Sequence, residues 1–105
     1  MVLILVRLNA LAGKRKELRQ TLQSLNAQIK TESGCVDSNL YQLDGDRNHF
    51  LLVESWENRK ALEDYLQSIF FTVLMGARSL LSRPPKIMLL TVSHSSKLES
   101  ERLNL

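Results

Sequence analysis

Three side chains in the middle of the chain are equipped for proton chemistry on an aromatic molecule: Glu54, Trp56 and Tyr65. Glu54 and Trp56 stand two apart in the segment HFLLVESW, and on a strand that spacing turns both to one face together with Phe50 and Leu52. A carboxylate on an otherwise apolar face loses its hydration. Its pKa then rises toward the range that suits a general base. At a sheet rim it would instead pair with an arginine. Trp56 offers a ring to stack on a flat substrate and an indole N–H to donate, or else a large body to fill a core. Tyr65 recurs with Leu62 and Leu66 at helical spacing, which makes it either a hydrogen-bond donor to a substrate oxygen or an edge-of-core residue. Asn39 and Tyr41 share a strand face with Asp37, and Arg78 is a lone charge in an apolar stretch. With Leu52 and Phe71 they complete the candidate substrate contacts.

Other chemistries lack their residues. His49 begins a strand beside a turn and His94 begins the tail, and neither has a second His, Cys or paired carboxylate at ligand spacing. Both are expected to be solvent-exposed, and no metal site is expected. The single cysteine, Cys35, forms no intrachain disulfide and reads as a small buried hydrophobe, so a reducing, cytoplasmic setting is the expectation. There is no glycine-rich phosphate loop, nucleophile elbow or Cys-X-X-Cys. The formal charge of +3 is mild, and its surplus of Lys and Arg before residue 31 reads as a solvated helix face. Arg7 interrupts the first apolar run and polar residues interrupt the region 66–81, so neither a signal peptide nor a membrane span is expected.

The elements that must position these residues follow from periodicity. Val2 to Leu8 reads as a strand apolar on both faces. Leu18, Leu22, Leu25 and Ile29 form one helical stripe, which Ser33 and Gly34 are expected to close. Cys35 to Leu43 and His49 to Trp56 make a hairpin around the turn Asp44-Gly45-Asp46-Arg47-Asn48, with Asp-Gly as its core. Asn58 caps a helix through Ala61, Leu62, Tyr65 and Leu66, and a further short helix or bent continuation follows it. Arg83-Pro84-Pro85 ends helix, and Ile87 to Val92 reads as the last strand. The order βαββαβ is that of a ferredoxin-like α+β domain, an antiparallel sheet with helices on one face. One domain, 1–93, is followed by a polar tail, 94–105, whose Leu98, Leu103 and Leu105 suggest a loose end or a docking arm. Because the first and last strands are apolar on both faces, a second copy is expected to cover the open side of the sheet.

The stretch GCVDSNLYQLDGDRNHFLLVESWENRKALEDYLQSIFFTVL resembles the central signature of the antibiotic biosynthesis monooxygenase family. Its parts are a glycine after the first helix, a tyrosine-bearing strand, a strand ending Val53-Glu54-Ser55-Trp56-Glu57, and a helix with Ala61-Leu62 and Tyr65-Leu66. Ser68-Ile69-Phe70-Phe71 resembles that family's Ser-Pro-His-Phe turn. The resemblance implies a dimeric α+β barrel, with a homodimer as its working form. It also implies oxidation of a small aromatic or quinol-like substrate by molecular oxygen with no cofactor, neither metal nor flavin. Trp56 matches the family's recurrent strand-end tryptophan. The chain departs from the pattern in having no histidine between His49 and His94. The haem-degrading branch uses an Asn, a Trp and a His where this chain has, nearest, Val6, Tyr65 and Met75, so haem oxygenation is not expected. The alternative is a non-catalytic dimeric module that binds a small ligand or regulates a partner. Nucleic-acid binding is not expected, since the basic residues fall on the first helix, away from a base-stacking sheet face.

Overall fold

In the computed structural model, which describes residues 1–98, the chain runs β1 (Val2–Asn9), α1 (Arg15–Ile29), β2 (Cys35–Gln42), β3 (His49–Trp56), α2 (Arg59–Leu66), α3 (Ile69–Gly76), a 3-10 turn (Ala77–Leu80) and β4 (Lys86–Thr91). The four strands form one antiparallel sheet in the order β2-β3-β1-β4. This is the expected ferredoxin-like α+β arrangement. Leu103 and Leu105, the distal part of the expected docking arm, lie outside the described residues.

Alternation along β1 and β3 separates the two sides of the sheet. Val2, Ile4, Val6 and Leu8 of β1, and Phe50, Leu52, Glu54 and Trp56 of β3, point to the helices and are buried. Leu18, Leu22, Leu25 and Ile29 of α1 close over them, so the periodic stripe is the buried face of that helix. The opposite side of the sheet is open. There Leu3, Leu5, Leu51 and Val53 are half-buried, while Met88 and Leu90 of β4 are 57% and 38% exposed. All six residues of β4 are exposed, because the helices stop short of that edge strand.

Three local expectations are corrected. α1 ends at Ile29 rather than at Gly34, its last turn closing through Lys30 N–H to Asn26 O at 3.2 Å. Gly34, with φ +84°, turns the chain into β2 instead, and a Cβ on it would collide with Ala61. The β2–β3 loop falls within the expected turn 44–48 but is built on Asp46 rather than on its Asp44-Gly45 core. Asp46 accepts the Asn48 N–H through Oδ1 at 3.1 Å and the His49 N–H through its carbonyl at 2.9 Å, an Asx-type turn that needs no left-handed glycine. His49 is half-buried rather than solvent-exposed, since it sits in β3 opposite Asn9, and its Nε2 is enclosed without a hydrogen-bond partner.

Candidate functional site

β3 presents Glu54 and Trp56 to the helical side, and α2 lays Tyr65 on top of them. The helix starts where Asn58 accepts the Ala61 N–H at 2.9 Å, an N-cap that satisfies one of the free donors of the first turn. Its apolar contacts with the body are Leu62 and Tyr65, its two buried residues, and the Ala61 contact with Gly34. The tight Gly34–Ala61 approach lets α2 sit low enough for the Tyr65 ring to stack on Trp56, with centroids 4.6 Å apart and an interplanar angle of 27°. Phe71 of α3 meets Tyr65 edge-on at 6.0 Å and 74°. Offset and edge-to-face pairs of this kind align the positive edge of one ring with the negative face of another.

Trp56 Nε1–H donates to Glu54 Oε1 at 3.1 Å, within the core. Glu54 is 1% exposed and, among the described residues, has no cationic partner, so the rim-pairing alternative does not hold. Removing a carboxylate from water without an opposing cation favours its protonated form. Burial accordingly pushes Glu54 from the ordinary 4.5 up to about 7, a rise tempered by hydrogen bonding from Trp56 and by the nearby Tyr65 hydroxyl. The Tyr65 hydroxyl approaches that carboxyl but closes no hydrogen bond of good geometry, and is enclosed without a partner. Burial, and next the charge of Glu54, hold the Tyr65 phenol well above its ordinary range. Cys35, half-buried rather than buried as expected and paired with Trp56 across the sheet, is likewise raised by burial and by Glu54.

The structure therefore brings together Glu54, Trp56, Tyr65 and Phe71, with Leu52 buried one step along the same face of β3. It does not bring the remaining candidates to them. Asn39 and Tyr41 pair with Val53 and Leu51 across the sheet and so lie on the open side. Arg78 is exposed on the 3-10 turn. The i, i+2 rule identifies Asn39 and Tyr41 as face-mates but does not say which face the helices choose.

Sequence reasoning missed Ser38 and Asn26. Ser38 is fully buried opposite Glu54 on β2, and its hydroxyl donates to Asn26 Oδ1 from α1. The two extend the polar strip beside Glu54, and a serine in the middle of a strand was the only signal for it. Among the described residues no group of three or more His, Cys, Asp or Glu could hold a metal ion, and no helix is long and apolar enough to cross a membrane.

Likeness to known proteins agrees with this geometry. A solved structure from Deinococcus radiodurans, described as an antibiotic biosynthesis monooxygenase, matches with a TM-score of 0.85 at 23% identity over 94% of this chain and 99% of its own. A Mycobacterium tuberculosis protein matches with a TM-score of 0.82 at 23% identity, covering 91% of this chain and 98% of its own. These two likenesses establish the fold. A curated relative from Synechocystis, of uncharacterized activity, is 27% identical over 86 residues, or 81% of this chain, and the chain spans 58% of that relative's length. The family model described as antibiotic biosynthesis monooxygenase matches residues 1–74, from β1 into α3 and so across all of the Glu54, Trp56, Tyr65 and Phe71 cluster; the chain belongs to that family.

Proposed function

We propose that the protein is a cofactor-independent oxygenase of small phenolic or quinol-like aromatics, acting as a homodimer. The observation that carries this reading is Glu54: a buried carboxyl, without a cation, held by an indole N–H among aromatic rings and balanced near neutral pH. A phenol or hydroquinone must lose a proton before it passes electrons to oxygen. An acceptor poised near the working pH is the efficient one. Trp56 fixes the carboxyl and supplies a stacking surface, and the low-dielectric surroundings strengthen every hydrogen bond to the developing anion. For hydroquinone the substrate supplies all four electrons. One oxygen atom enters the ring to give hydroxyquinone, the other leaves as water, and no further reductant is required.

The half-buried Leu3, Leu5, Leu51 and Val53, with exposed Met88 and Leu90 beside them, support the dimer. An apolar face of this kind is costly to leave in water, and a second copy related by a two-fold axis would cover it with the same patch.

The test is oxygen uptake with a panel of hydroquinones, anthrones and related phenols, corrected for autoxidation. Uptake above background should persist in chelator and fall on the order of a hundredfold in Glu54→Gln, the range expected for losing a general base. A folded protein that consumes no oxygen with any of them would sink the reading. One observation favours a second function, a non-catalytic ligand-binding module: Glu54, Trp56 and Tyr65 are only 1%, 0% and 2% exposed, so the cluster is closed in this conformation.

A further inference from the structure

The closed cluster contains a ring that looks out of place. Tyr65 is a phenol stacked on Trp56, edge-on to Phe71, with its hydroxyl directed to the neighbourhood of the Glu54 carboxyl. That is the pose a phenolic substrate of the proposed oxygenase would need. Yet the Tyr65 hydroxyl, enclosed beside the Glu54 carboxyl, closes no hydrogen bond of good geometry with it, although buried tyrosine hydroxyls usually close one. Its ring is tethered to α2, which fixes the angle at which the oxygen meets the carboxyl. A free ring in the same stack has no such tether.

We propose that the Tyr65 ring holds the place of the substrate, so that the site is self-occluded at rest and accepts a single-ring phenol or hydroquinone when α2 lifts and carries Tyr65 out of the stack. The choice of ligand, and of this stack as its site, rests on the oxygenase reading; that Tyr65 fills the stack is read from the geometry. The space vacated is that of one phenol, which favours one ring over a fused system. α2 is held to the body mainly by apolar contacts. It has eight residues, and its two ion pairs, Arg59 with Glu63 and Lys60 with Asp64, both lie within the helix. Among the described residues no ion pair and no side-chain hydrogen bond of good geometry ties α2 to β1, β2, β3 or α1; its anchors there are Leu62, the Ala61–Gly34 contact and Tyr65, whose hydroxyl lies beside the Glu54 carboxyl.

The experiment is an anaerobic titration of the whole protein with hydroquinone. It is read by fluorescence of Trp56, the single tryptophan, corrected for ligand absorbance, and by amide hydrogen exchange across residues 59–66. In the wild type, saturable quenching should be accompanied by faster exchange in α2. Removing the plug with Tyr65→Ala should tighten binding about tenfold or more, because a closed site open only some ten per cent of the time or less weakens apparent affinity by that fraction. Leu62→Ala, which opens space under the same helix but outside the stack, should give no such gain. Absent binding, α2 exchange unchanged on saturation, or weaker binding in Tyr65→Ala would each overturn the proposal. If Tyr65→Ala does not fold, the wild-type exchange measurement decides. Oxygen uptake is scored separately: binding with plug release but no uptake defeats the oxygenase reading and leaves this one standing, and uptake with α2 unmoved does the reverse.

Discussion

Replacing Glu54 by Gln should change how stability depends on pH, in a direction opposite to that of most carboxylates. In the folded protein the group is raised from the ordinary 4.5 to about 7, so across that interval the native state holds a proton that the unfolded chain has released. Stability then falls as pH rises. The contribution is fully present below about pH 4.5, declines through the interval and is gone above about pH 7. A rise from 4.5 to about 7 corresponds to about 3 kcal/mol, a large part of the stability of a small domain. Cys35 and Tyr65 are both pushed upward and stay neutral throughout this range, so neither contributes to the slope. The exposed carboxylates contribute equally to both proteins and cancel in the difference. The assay is urea denaturation of wild type and Glu54→Gln at fixed protein concentration, followed by far-UV circular dichroism from pH 4.5 to 8. The wild-type stability minus that of the variant should drop by about 3 kcal/mol across the series. A flat difference curve would refute the claim that Glu54 is a desolvated, cation-free acid, and a rising one would mean that its charged form is the stabilised one.

Gly34→Ala should cost about 2–4 kcal/mol by urea denaturation, the sum of left-handed backbone strain and overpacking against Ala61. Ala61→Gly in the same chain should recover the overpacking part, while Gly45→Ala, which meets open space, should stay within about 0.5 kcal/mol of wild type. Light scattering at micromolar concentration should give twice the 12.0 kDa chain mass, and Val53→Glu on the open sheet face should give the single mass with unchanged circular dichroism. A monomeric wild type would remove the barrel.

Much of the architecture is legible in the sequence. The stripe Leu18, Leu22, Leu25 and Ile29, the Asn58 cap and the shared face of Glu54 and Trp56 are consequences of local periodicity, and each appears as expected. The pattern that resembled a known family also pointed to the right fold. Less visible were contacts set by distant parts of the chain. Gly34 looked like a helix cap because it follows a helix, but what constrains it is the approach of Ala61 from α2. Asn39 and Tyr41 were grouped correctly with each other and then fell on the side of the sheet away from Glu54.

The chain's own alternation and spacing decide which residues share a face, because strand and helix periods are properties of the backbone. They do not decide which face another element will cover. That Glu54 is enclosed without a cation, that Tyr65 lies on Trp56 rather than in solvent, and that Ser38 meets Asn26 all depend on how α1 and α2 dock on the sheet. Docking is settled by packing between segments far apart in sequence. The pKa of Glu54 follows from that packing, because desolvation exists only once the helices are in place.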